Sequence, residues 1–304
     1  MNTYCNFPNI KLNVAGLFTH SDLIITLNQI LYDKYKISKT ITEIYGSPNI
    51  CWNGGRIVNI DKAIVIEDEL SKVINAGLRP VIIFSNPIIT DEMLQDSDSN
   101  ALLKLGLKYN AKFIISNDKL MNYVQTLYPS ADIKVSLIKV AIDNKVNDLD
   151  YYKQLEKNFK NYVIHPDDNF NLSLLKKLDS NKVEILLNER CAPNCPNRVN
   201  HYINLSKEQS NLLSNSCVKN NFLDCCNFIP EIKQLSHNKK NITLSLKEVE
   251  TLYDLGFNKF KIQGRTDNLY SFSFDILKYI LKNEELYNFY PLFCFYIEKY
   301  LKNS

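Results

Sequence analysis

The order of apolar segments predicts an α/β protein built as a (β/α)8 TIM-type barrel. Eight short apolar runs alternate along the 304 residues with segments of helical spacing. That is the pattern of parallel strands joined by crossover helices. No linker rich in Pro, Gly or Ser interrupts it, so residues 1–304 are expected to form one domain. The competing open doubly wound sheet would want a glycine-rich phosphate turn after the first strand, where Gly16 stands alone.

The first run, Ile10 to Phe18, ends in Thr19-His20-Ser21-Asp22, and Leu23, Leu27, Ile30 and Leu31 then keep helical spacing up to Tyr35. Thr40 to Tyr45 is the second strand. Gly46, Pro48, Gly54 and Gly55 mark a long loop after it that carries Cys51, Trp52 and Arg56. Glu67 to Ala76 reads as a helix closed by Gly77, and Pro80 to Phe84 as a continuous apolar strand ending at Ser85-Asn86-Pro87. A helix at Ala101 to Tyr109, a strand at Lys112 to Ser116, a helix at Lys119 to Tyr128 and a strand at Ile133 to Val140 continue the rhythm. Next come a helix at Tyr151 to Phe159, a strand at Tyr162 to His165, a helix at Leu172 to Leu178 and a strand at Val183 to Leu187. Residues 201–243, rich in Asn and Ser, are an inserted elaboration after the seventh strand. Leu246 to Leu255 is a helix, Lys259 to Ile262 the eighth strand and Phe272 to Leu281 its helix. An aromatic tail over 286–304 is expected to pack back onto the barrel.

A content of 45% hydrophobic residues is enough for a large core, and a net charge of +3 without a basic stripe does not by itself indicate a nucleic-acid binder. The sequence shows neither a signal peptide nor an apolar stretch of about 18 to 20 residues, so a cytoplasmic protein without a membrane span is expected. In that compartment eight cysteines point to metal or redox chemistry rather than a disulfide framework. Five of them cluster: Cys191, Cys195, Cys217, Cys225 and Cys226.

Functional groups of such barrels sit at the carboxyl ends of the strands. Those ends carry His20, the loop from Cys51 to Arg56, Asn86, Asn117 with Asp118, Lys139, His165 with Asp167 and Asp168, the segment Asn188 to Arg198, and Gly264-Arg265. In the segment NERCAPNCPNR, Pro193 and Pro196 end the ladder, and Cys191 and Cys195 are presented from a loop. With Cys225, Cys226, Cys217 or Cys51 they offer enough thiolates for an iron-sulfur cluster or for zinc; equally, they could be ordinary buried thiols. His165 is the proton-transfer candidate, with Glu189 a second catalytic candidate that could instead pair with Arg190 or Arg198. Asp168 also suits a helix N-cap, and His201 is either a spare ligand or a helix residue. Arg56, Arg198 and Arg265 offer planar forks for an anionic substrate, against the plainer reading of surface arginines beside turn glycines.

Three islands resemble the peptidase U32 (collagenase-like) family. They are Glu43-Ile44-Tyr45-Gly46 with Gly54-Gly55-Arg56, then Asn188-Glu189-Arg190-Cys191 with Cys195-Pro196 and Arg198, then Leu255-Gly256-Phe257 leading to Phe260-Lys261-Ile262-Gln263-Gly264-Arg265. The last is similar to the family's K-I-E-G-R signature, with Gln263 where many members carry Glu. The resemblance implies a TIM-type barrel. It further implies a 4Fe-4S iron-sulfur cluster and oxygen-independent hydroxylation, or a related redox modification, of a small molecule or an RNA base. Cys217, Cys225 and Cys226 depart from the family's G-x-C contexts, which leaves the ligand set open. The alternatives are a metal-dependent peptidase or hydrolase and a non-catalytic subunit. A homologous partner subunit or a homodimer would fit the family pattern.

Overall fold

The computed structural model describes residues 4–37, 40–55, 65–213, 242–264 and 268–303. Eight parallel strands close a barrel in chain order: β1 Lys11–Ala15, β2 Ile41–Gly46, β3 Arg79–Phe84, β4 Lys112–Ile115, β5 Asp132–Val135, β6 Asn161–Val163, β7 Val183–Leu186 and β8 Lys259–Ile262. Closure is made by β8 lying parallel to β1, with Asn13 opposite Lys261. The barrel expected from the alternating pattern is therefore present, and among the described residues no helix is long and apolar enough to cross a membrane.

The outer layer consists of α1 Ser21–Tyr35, α2 Ile66–Asn75, α3 Asp91–Leu94, α4 Ser97–Lys108, α5 Asp118–Leu127, α6 Leu137–Ile142, α7 Leu149–Asn158, α8 Leu172–Leu175, α9 Arg198–Leu213, α10 Leu246–Asp254, α11 Leu269–Ile280 and α12 Asn283–Asn303. Helix α1 shows why these segments coil. Its Leu23, Ile24, Leu27, Leu31 and Tyr35 lie on one buried face, and Lys36 stops it in the left-handed conformation with its N–H on the last turn. Short polar side chains start the others. Asp96, Asn117, Ser136 and Asp148 each accept a first-turn N–H, and Ser245 with Glu248 forms a reciprocal capping box.

Two expectations change here. The run Ile133 to Val140 is not one strand: it breaks at Ser136, whose hydroxyl caps α6, so Lys139 lies on a helix. Asp168 is not a cap either. It accepts the Tyr152 hydroxyl at 2.6 Å and the Asn147 N–H at 3.1 Å, while Asn171 caps α8.

The barrel bore is polar where such bores are usually filled by branched apolar side chains. Buried Lys134 bridges Glu43, at 2.8 Å, and Glu184 across the bore, and Asn13 donates to both Glu184 oxygens at 3.2 and 3.3 Å. Lys112 pairs with Glu43 as well. Burial pushes the Glu43 carboxyl up, but the Lys134 and Lys112 cations outweigh it and hold the group at about 2. Burial likewise works against the Lys134 cation, and the carboxylates of Glu184 and Glu43 keep it charged.

The C-terminal helix α12 closes one side. Leu286, Phe289, Phe293 and Ile297 are buried, the Tyr290 hydroxyl donates to Tyr270 of α11, and Tyr296 donates to Thr26 of α1. The aromatic tail does pack onto the barrel.

Candidate functional site

At the carboxyl end of β6, Val163 leads through Ile164 to His165, whose ring begins the 3-10 turn Pro166–Phe170. Its Nδ1 accepts the Asp167 N–H at 3.3 Å. Pro166 suits the first turn because it has no N–H to leave unpaired. This turn aims Asp167 toward α9, where Arg198 occupies the first position. Arg198 Nη2 lies 3.1 Å from Asp167 Oδ1 and donates to the Ala192 carbonyl at 2.8 Å. Asp167 also accepts the Asn194 N–H at 3.1 Å and sits 3.5 Å from His165 Nδ1. One carboxylate thus ties the end of β6 to the cysteine loop after β7.

That loop turns as its prolines require, with Asn194 in the left-handed region at φ 49. Glu189 Oε1 receives the N–H groups of Arg190 at 2.8 Å and Cys191 at 2.9 Å, so its carboxylate folds the loop onto itself. Arg190 Nη2 lies 3.7 Å from the Asp275 carboxylate. Cys191 and Cys195 are both free thiols. The bond from Cys191 outweighs burial and, with the Asn197 N–H and the Arg198 cation, holds the Cys195 thiol at about 6; the Cys191 thiol is correspondingly pushed up.

His165 is buried, and burial followed by the Arg198 charge depresses its imidazole to about 3. It is neutral at working pH. Its Nε2 has no hydrogen-bond partner among the described residues, and the same holds for Nε and Nη1 of buried Arg198. Tyr202, one turn along α9 from Arg198, has its phenol pushed up by burial and by the Glu189 charge.

The loop after β2 roofs this mouth. Trp52 is fully buried there, donating to the Met93 carbonyl at 2.7 Å and meeting Phe84 edge-on. Gly54 is wedged so tightly that an added Cβ would lie 2.5 Å from Ser206 Oγ on α9 and 2.6 Å from Asn86 Cα. Asn86 itself braces the roof through the Cys51 carbonyl at 2.8 Å.

Of the candidate residues, His165, Glu189, Cys191, Cys195 and Arg198 gather at this mouth. Cys51 faces Asp96, and burial followed by that carboxylate pushes its thiol up to about 11. Arg56, Arg265, Cys217, Cys225 and Cys226 lie outside the described residues. Among the described residues no three His, Cys, Asp or Glu side chains are grouped to hold a metal ion. His201 is a helix residue of α9. Asn117, Asp118 and Lys139 serve the scaffold: the first caps α5, and Lys139 bonds Asp118 at 2.7 Å and Asp143 at 2.6 Å. Gln263 and Asn188 clamp the ends of β7 and β8, with the Asn188 amide accepting the Gln263 N–H at 2.9 Å. One member of the site escaped sequence reasoning: Tyr202 was signalled only by lying four positions after Arg198. Asp167 was named at the strand end, but its bond to Arg198 was not expected.

By sequence, no family model and no curated protein matches the chain. A structural comparison aligns it with the structure of the U32 peptidase Mk0906 at a TM-score of 0.53, over 84% of this chain and 92% of that one. The chain has the fold of a U32 peptidase. At 12% identity the likeness to Mk0906 concerns the fold, and it covers nearly all of the U32 barrel.

Proposed function

We propose that the chain is an iron-sulfur-dependent modifying enzyme of the U32-like type, acting on a small molecule or an RNA base at the carboxyl mouth of its barrel. The observation that carries this reading is the pair of free thiols, Cys191 and Cys195, on the loop that Arg198 holds through the Ala192 carbonyl at 2.8 Å. Cysteine thiolates are the donors that such clusters take. The described residues fit half of a four-thiolate set. Cys225 or Cys226, with Cys51 or Cys217, would supply the rest, and the chain rejoins the mouth at Thr243, whose hydroxyl donates to the Glu189 carbonyl at 3.3 Å. A bound cluster would supply electron transfer or Lewis acidity.

The chain's own residues would orient the substrate. Arg198 Nε and Nη1, which lack partners among the described residues, would be the donors for an anionic group. With Nδ1 accepting the Asp167 N–H, neutral His165 carries its proton on Nε2 and offers it as a hydrogen-bond donor. Glu189 sets the loop that presents both thiols.

The second reading, a metal-dependent hydrolase, is favoured by the structural relative, which is a U32 peptidase. Anaerobic purification followed by iron, sulfide and zinc analysis separates the two. Iron with acid-labile sulfide and a visible absorption band, lost in Cys191→Ser and Cys195→Ser, is the expected result. A colourless protein holding neither would refute the proposal, and zinc without sulfide, with chelator-sensitive peptide cleavage, would select the hydrolase.

A further inference from the structure

A cavity of about 620 Å³ opens at the other pole of the barrel. Its wall includes Lys11, Ile41, Arg79, Lys112, Asn161 and Lys259, the first residues of six strands, so it lies at the amino ends, opposite the cysteine mouth. The wall holds five cations, adding Lys134 to those already named, but only two carboxylates, Glu43 and Glu184.

The pairing inside this set is uneven. Glu43 and Glu184 are taken by Lys134 and Lys112. The Arg79 fork is committed, with Nη1 on Asp132 at 2.6 Å and Nε and Nη2 on Asn110 at 2.9 and 3.3 Å. Two ammonium groups are left without a carboxylate among the described residues. Lys259 donates to Asn161 Oδ1 at 3.0 Å and to the Asn181 carbonyl, both neutral, and Lys11 stands exposed at the rim. The surplus has a cost: burial and then the neighbouring cations of Lys112 and Lys134 pull the Lys259 ammonium down. A cavity with surplus positive charge and low-dielectric walls concentrates anions. The unspent cations are lysines, compact point charges suited to a phosphate group, whereas the one arginine fork that would grip a carboxylate is in use.

We propose that this amino-end cavity binds a small phosphate-bearing anion, held by Lys11 and Lys259 with Asn28 and Thr42 on the adjoining wall. The site is independent of the chemistry at the cysteine mouth. Phosphate there would neutralise the surplus charge that the bore leaves uncompensated.

Equilibrium dialysis of the full chain against inorganic phosphate, at constant ionic strength set with chloride, tests this. Saturable binding of one phosphate per chain is expected, weakened at least about tenfold, or about 1.4 kcal/mol, by Lys11→Gln and by Lys259→Gln. Lys104→Gln, which removes an exposed charge from α4, should leave it unchanged. Because Lys259 also braces Asn161, the exposed Lys11 variant keeps the test decisive if Lys259→Gln folds poorly. Glycerol 3-phosphate run in parallel separates the sources: binding at least tenfold tighter than phosphate assigns an organic phosphate, and equal or weaker binding assigns the free ion. Absence of saturable binding by both probes, or wild-type affinity in folded Lys11→Gln, would overturn the proposal.

Discussion

Replacing Lys134 with Met tests the claim that the bore is held by charge. Lys134 is almost fully buried and is shared by Glu43 and Glu184. After the change Glu43 keeps Lys112, whereas among the described residues Glu184 keeps the hydrogen bonds of the Asn13 amide at 3.2 and 3.3 Å, a neutral donor. Breaking a buried ion pair from one side costs about 3–5 kcal/mol, because the remaining charge is left desolvated without a counter-ion. Against a stability of about 5–15 kcal/mol for a folded protein, that is a fifth of the whole or more. Removing the stranded charge too should recover most of the loss, since buried pairs replaced on both sides are often close to neutral. Urea unfolding at pH 7, followed through the fluorescence of Trp52, the sole tryptophan, reads both effects. Lys134→Met should lower the midpoint strongly, and Lys134→Met with Glu184→Gln should return at least half of the difference. A single variant within about 1 kcal/mol of wild type, or a double variant no better than the single, would refute the bore as an obligate ion network.

The pH dependence of stability has a sign that follows from His165. Its folded value, about 3, lies below the ordinary 6.5, so the unfolded chain binds the extra proton and stability falls as pH drops from about 6.5 toward 3. Glu43, held at about 2, adds a further loss below about 4.5. His165→Gln should flatten the upper part of that curve, and Arg198→Met, which removes a neighbouring cation, should raise the His165 titration seen by NMR. A second perturbation concerns the roof. Gly54→Ala drives a methyl to 2.5 Å from Ser206 Oγ and 2.7 Å from the Ser85 carbonyl, so about 1–3 kcal/mol of overpacking is expected. Hydrogen exchange should report it as loosened protection in α9 and the loop after β2, with the opposite barrel pole unchanged.

The barrel was legible because its strands are short apolar runs bounded by polar turns. The reading failed where that signal is ambiguous: Leu137 to Val140 continues the apolar run of β5, and only Ser136, with its preference for a first-turn N–H, marks the break. The charged bore was not legible for a related reason. In a strand such as Ile41 to Tyr45, alternation of Glu43 with apolar neighbours looks like a solvent-facing side, and only closure of the sheet turns that side inward. At the site, the thiols and His165 stood out by residue type. Asp167 was named beside His165 at the strand end, but its bond to Arg198 was not legible, because it spans thirty-one positions.

The cap that His165 forms on its own turn confines proton movement at the mouth. Nδ1 is sealed against the Asp167 N–H, so any proton that leaves the ring and any that returns must pass through the single atom Nε2. The imidazole therefore cannot hand a proton from one face to the other as a two-sided relay does. It can only lend one to whatever occupies the mouth and take it back from the same place.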